Sequence, residues 1–151
     1  MTWSQDEAEW VAEAYYADHL LRHAAAPAPR EVRDQHWWAV QRVQDAAVDG
    51  TMPLHVLDAV FRAGAMDEAF LGVVAAGPLE ILLTMHGDKY DAEVAVRCQT
   101  DEMWAEAAAC VLVHRERWEE MPPALQRLVP EPEQSRSKAQ KTRKRPSKRQ
   151  R

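Results

Sequence analysis

The chain has 151 residues, 46% of them hydrophobic and 28% charged, with a formal net charge of −5. A chain of this size can build one core without disulfides or a metal, and its two cysteines, Cys98 and Cys110, are too few for a disulfide framework or a thiolate zinc site. The acidic start (Asp6, Glu7, Glu9) lacks the positive and apolar regions of a secretory leader, and no apolar run approaches the ~20 residues of a membrane span. The expectation is a soluble, cytoplasmic protein with no membrane partner.

Ser4 to Glu7 reads as a capping box, S-x-x-E. It opens an amphipathic helix over 5–24 with Trp10, Ala14, Ala17 and Leu21 as its stripe and Val11 and Tyr15 beside them. Pro27 and Pro29 end it. A second helix over 31–48 presents Trp37, Val40, Val43 and Ala47 and stops at Gly50, a natural left-handed terminator. Thr51 is the expected cap of a third, with Pro53 in its first turn and Leu54, Leu57, Val60 and Phe61 inward, as far as Gly64. A fourth covers 66–74, a fifth 78–86 and a sixth 89–98. Thr100 caps a seventh over 101–120, with Met103, Trp104, Ala107, Val111 and Trp118 inward. Pro122 and Pro123 open a last turn carrying Leu125 and Leu128. No stretch alternates with period two. The fold class is therefore all-α, a compact bundle or short HEAT-like stack of about seven helices over residues 1–130. Both cysteines fall in Ala- and Val-rich helical patterns and are expected to be buried, reduced, small apolar residues.

Residues 131–151 have a different character. From position 134 onward there are nine Lys and Arg and no acid, whereas residues 1–133 hold all 24 acids against ten bases, a formal charge of −14. A like-charged block without bulky apolar side chains cannot pack, so a disordered basic tail is expected. Arg136, Lys138, Lys141, Arg143, Lys144, Arg145, Lys148, Arg149 and Arg151 are its candidate polyanion contacts. Clustered cations release counterions from phosphates and give non-specific, salt-sensitive binding to DNA or RNA. No aromatic residue interleaves them, so base stacking is not offered. The other reading is a solubilising extension that brushes its own acidic body.

Gly77, Pro78, Glu80, His86 and Gly87 form a punctuated block. An acid–base pair of Glu80 and His86 would need both on one face, yet a separation of six turns them by roughly 600° and sets them about 9 Å apart along the axis. Helix punctuation accounts for each instead: Pro78 at N1, Glu80 at N3, His86 at the C-terminal dipole and Gly87 as the left-handed stop. His19 and His23 are spaced i, i+4, but two imidazoles do not make a metal site. They read as exposed polar-face histidines beside Asp18 and Arg22. No nucleophile elbow, phosphate loop, dinucleotide fingerprint or C-x-x-C occurs, so a non-enzyme without metal or cofactor is expected. Adjacent helix positions differ by ~100°, so Trp37 and Trp38 cannot both face one neighbour. Trp38 and Tyr16 are the candidates for a protein interface, against the alternative of one wide apolar face covered by two helices.

The run Ala76-Gly77-Pro78-Leu79-Glu80-x-Leu82-Leu83-x-x-His86-Gly87, with Trp38, the helix 54–61 and the helix after Thr100, resembles the bacterial domain-of-unknown-function family 6869 over roughly residues 35–112. The resemblance implies a small α-helical fold and brings no activity; the basic tail departs from it. Three functions follow in order: an acidic helical interaction module (adaptor, immunity-like or inhibitor-like) for an unidentified protein partner; a nucleic-acid accessory acting through the tail; and an enzyme using Glu80 and His86 or His19 and His23.

Overall fold

The computed structural model describes residues 2–133; the nine basic positions of the tail, Arg136 to Arg151, lie outside the described residues. Among the described residues the fold is all-α, with no strand. Its helices are α1 (Gln5–Arg22), α2 (Arg30–Arg33), α3 (Trp37–Asp49), α4 (Leu54–Ala63), α5 (Glu68–Val74), α6 (Glu80–Met85), α7 (Gly87–Thr100), α8 (Glu102–Ala109), α9 (Arg115–Glu120) and α10 (Pro123–Gln126). Helix α1 lies at the centre of the first half and packs on both α3 and α4, while α7 joins that half to α8 and α10.

Ser4 caps α1 as expected, its Oγ accepting from the Glu7 N–H at 3.1 Å. The box does not close in return, because the Glu7 carboxylate pairs with Arg42 on α3. The buried face of α1 is Ala8, Val11, Ala12, Ala14, Tyr15, Asp18 and His19, so Val11, Ala14 and Tyr15 face inward as expected while Ala17 and Leu21 are only partly buried. Trp10 is 57% exposed, and Trp37 at the start of α3 is 40% exposed. The second helix breaks at a turn over 34–36 into α2 and α3. Position 51 is not helical, and Pro53, extended, precedes α4 as its N-cap with no side-chain cap, so neither Thr51 nor Pro53 plays its expected part. Asp67 and Asp101 cap α5 and α8, accepting from Phe70 N–H at 3.0 Å and Met103 N–H at 2.9 Å. Thr100 instead donates back to Val96 O within α7. The long helix expected over 101–120 ends at Ala109, and chain without helix leads to α9.

The stripe on α4 is as read: Leu54, Leu57, Val60 and Phe61 are all buried. The largest fully buried side chain, Trp104, meets Phe61 edge to face with centroids 5.1 Å apart. Its Nε1–H donates to Asp58 Oδ1 at 2.7 Å, and Arg97 braces the same carboxylate through Nε at 3.0 Å and Nη2 at 3.1 Å. One acid thus ties α4, α7 and α8 together. Cys98 is half-buried, and burial pushes its thiol up to about 11. Cys110 is exposed, against expectation. The packed chain continues past position 130: Val129 is buried, and Arg115 holds both Glu131 and the Pro132 carbonyl.

Residues Glu68–Met85 form an 18-residue helical path of mean hydropathy 1.6, long and apolar enough to meet the criterion for a membrane crossing, which the sequence reading did not anticipate. A π turn with a kink at Gly77 (φ −112°, ψ −109°) joins α5 to α6 inside it. Phe70, Val74, Leu79, Leu82 and Leu83 on this path belong to the buried core cluster.

The Gly77–Gly87 block is where punctuation was read most closely. Pro78 does follow the kink directly, where its missing N–H costs nothing, and Glu80 opens α6 two residues on. Gly87, however, is not a left-handed stop. It is the first residue of α7, and Gly50 is the only glycine with positive φ among the described residues. What Gly87 supplies is room: a Cβ there would lie 3.2 Å from both Leu125 Cδ1 and Pro122 Cδ. His86 does more than face a dipole. Its Nε2 sits 2.7 Å from Val48 O in the last turn of α3, Lys89 Nζ donates to Gly50 O, and Tyr90 Oη donates to Met52 O at 2.9 Å. Helix α7 therefore supplies donors to the carbonyl end of α3, which its own backbone leaves open.

Gly50 fits this clamp twice over. It takes φ +65°, and a Cβ there would lie 2.7 Å from His86 Nδ1. Gly50→Ala is expected to lower stability by about 1–3 kcal/mol, read as a shift in the urea midpoint at unchanged slope. In a His86→Ala background the steric part disappears, so the same substitution costs less there; equal cost in both backgrounds would show that the imidazole is not the obstacle.

Candidate functional site

Three tryptophans that do not enter the core share one surface. Trp3 lies in the chain just ahead of α1, and Trp10 lies on the exposed side of α1. Trp38, 36% exposed, stacks on Trp10 with centroids 4.5 Å apart and planes tilted by 33°. A groove lies on each side of it. One, of about 600 Å³, is bounded by Trp3, Trp38, Arg42, Asp45, Asp49 and Thr51. The other, of about 560 Å³, is bounded by Trp10, Glu13, Ala17, Gln35, His36 and Trp38. Trp38 is thus the wall common to both.

The rims are acidic. Glu7 is already neutralised by Arg42, but no cation among the described residues pairs with Glu13, Asp45 or Asp49. The aromatic faces follow a rule of their own. The Arg42 guanidinium lies 4.5 Å from the Trp3 ring centre, Arg22 lies 4.6 Å from Trp37, and Arg97 lies 5.6 Å from Trp104. Among the described residues no cation covers the Trp10–Trp38 pair. This surface can accept a flat or positively charged group by stacking and by charge.

A second polar cluster lies under α5. Tyr16 Oη donates to Asp67 Oδ2 at 3.2 Å, and His19 Nε2 is 3.5 Å from the same oxygen. Tyr16 also packs on the His19 and Phe70 rings. Of the two interface candidates, then, Trp38 is on the exposed ridge, while Tyr16 is half-buried and committed to Asp67. His19 is buried, not exposed as its polar neighbours suggested, and so is Asp18, which Arg22 pairs at 2.8 Å. Burial and then the adjacent His23, whose ring centre is 4.4 Å away, hold the His19 pKa below its ordinary value. The Phe70 N–H, then Tyr16, hold the Asp67 carboxyl below its range. Asp18 Oδ1 and His19 Nδ1 are buried without a hydrogen-bond partner among the described residues. Neither His19 nor Asp67 lines the two tryptophan grooves, and no group of three or more potential metal ligands occurs among the described residues. The cluster can hold α5 against α1.

The third groove, about 370 Å³, runs past Thr84, His86, Lys89, Arg117 and Glu120. It is the one that touches the Gly77–Gly87 block. His86 there is engaged by Val48 O, and Glu80 does not line it. The structure does not assemble Glu80 and His86 into a pair.

Compared with protein-family models, with curated proteins and with solved structures, the chain matches none.

The lowered His19 pKa gives a signed expectation. Below about 6.5, the ordinary histidine value, the unfolded chain takes up a proton that folded His19 resists, so stability falls as pH drops from there toward the native pKa. Below the native pKa the loss is complete and this group adds no further slope. Urea midpoints measured from pH 8 to 5 should fall over that window, and His19→Gln should flatten the fall. An unchanged profile in His19→Gln would assign the slope to other groups.

Proposed function

We propose that the protein is a non-catalytic interaction module that docks a basic segment of a protein partner on the Trp3–Trp10–Trp38 ridge. The observation that carries the reading is the stacked Trp10–Trp38 pair, exposed between two grooves whose rim carboxylates Glu13, Asp45 and Asp49 have no cation among the described residues. Tryptophan is a favoured interface anchor because it buries much area while ordering few torsions. A body of formal charge −14 steers cationic partners toward it. The resemblance to the family of unknown function stands as a proposal beside this one and adds no activity.

An octa-arginine peptide titrated into the full chain should quench tryptophan fluorescence saturably. Trp38→Ala should weaken binding at least about tenfold, the range of an interface anchor. Asp45→Asn with Asp49→Asn should weaken it less and reduce its salt dependence. Leu112→Ala, which removes an exposed apolar side chain that lines neither tryptophan groove, should leave it unchanged. Equal affinities in all four proteins would sink the reading.

A second reading is favoured by nine bases without an acid over residues 134–151. If the tail engages about five to seven phosphates, the log of the DNA-binding constant should fall against log salt with a slope of about −4 to −6, for duplexes of any sequence. Loss of all binding at about 50 mM salt, where such contacts are strong, would rule it out.

A further inference from the structure

Resting on the docking-face reading, we propose that the occupant of the tryptophan ridge in the isolated protein is the chain's own basic segment, residues 134–151. Arginine and lysine side chains of that segment lie over the Trp10–Trp38 pair and beside Glu13, Asp45 and Asp49.

Four observations converge on this occupant. The first is charge. The segment carries nine cations and no acid, and the body to which it is joined is −14, so the two attract at every orientation. The second is the chemistry of the faces. Trp3, Trp37 and Trp104 each carry a guanidinium from within the described residues, whereas the exposed Trp10–Trp38 pair carries none. An arginine from outside them completes the same arrangement. The third is reach. Eighteen residues extend up to about 60 Å, against roughly 36 Å across a globule of this body's size. The segment can therefore pass from its origin after Glu133 to any part of the surface.

The fourth is the route. Arg115 fixes Glu131 and Pro132, so the segment leaves beside α9. Arg117 and Glu120 of α9 border the groove that also holds His86 and Lys89. Those two residues contact Val48 and Gly50, and Asp49 and Thr51, interleaved with them in sequence, line the larger tryptophan groove. The groove beside α9 and the larger tryptophan groove thus lie on either side of the 48–51 turn.

Docking in cis has a consequence for any competitor. A short flexible tether gives an effective concentration on the order of millimolar, so a segment with an intrinsic dissociation constant of about 0.1 mM would weaken a competing basic peptide about tenfold. The ridge would then be self-covered, and a partner with more or better placed cations would displace the segment.

The test keeps the full chain and changes only the segment's charge, replacing its nine Lys and Arg with Gln. The tryptophan indole N–H signals of the ¹⁵N-labelled protein are recorded at low salt for this neutral-tail form and for the natural one. Signals from Trp3, Trp10 and Trp38 should differ between the two, and about 0.5 M salt, where screening is within a few ångströms, should bring the natural form toward the neutral one. Trp104, fully buried with its N–H donating to Asp58, should not move and serves as the internal reference. Octa-arginine should bind the neutral-tail form about tenfold more tightly than the natural form, the gain expected on removing the tethered competitor.

If octa-arginine moves the ridge signals equally in both forms, and the two forms are otherwise identical, the self-docking proposal is wrong and the docking face stands. If octa-arginine moves them in neither form, the docking face itself is wrong and the proposal falls with it. If the difference between forms grows with protein concentration, the segment docks on a second copy and the cis arrangement is overturned.

Discussion

A buried indole N–H must find an acceptor, and most of this fold can be traced to how Trp104 finds one. Its ring is the largest side chain fully out of solvent, and leaving its donor unpaired there would cost on the order of 1–3 kcal/mol. Asp58, itself only partly buried, accepts, and Arg97 binds the same carboxylate through two parallel bonds. The requirement thus propagates outward from an apolar core to a half-exposed guanidinium. Helix α4 and the consecutive pair α7 and α8, some forty residues on, are fixed in one geometry.

That chain of requirements also explains what could be read from the residues and what could not. Helix α4 was legible because its apolar side chains have no competing option: Leu54, Leu57, Val60 and Phe61 recur at helical spacing and all are buried. Asp58 within it was a clue left unused, since an acid between Leu57 and Ala59 needs a partner. The stripe of α1 was legible at Val11, Ala14 and Tyr15 and misplaced at Trp10, because tryptophan was counted as core. With Trp10 given to the outside, Val11, Tyr15 and the buried Asp18 and His19 form the inward face. Local capping was legible in type but not always in owner. Ser4 caps as read, whereas Asp101 takes the place expected of Thr100 because a carboxylate accepts from free N–H groups more strongly than a hydroxyl.

The candidate surface was half legible. Trp38 could be suspected from its adjacency to Trp37. What no spacing rule contains is the crossing of α1 over α3 that brings Trp10 and Trp38 into contact. His86 shows the same limit. Its place at a helix end was readable, but its docking to Val48, 38 positions earlier, belongs to tertiary structure alone.

The closing of α3 by side chains of α7 has a temporal meaning. The last carbonyls of α3 acquire donors from His86 and Lys89 only after those residues have been made and brought back to it. Until then that end is held only by the N–H groups of Gly50 and Thr51, which reach Ala47 O and Ala46 O, and the Val48 carbonyl turns to water. A nascent chain that has emerged only as far as α4 carries an unfinished α3, and its completion waits on the chain that follows. In the folded protein the two ends are one cooperative unit, so the amides of the 48–52 turn and of the first turn of α7 exchange with solvent through a shared opening rather than each at its own rate.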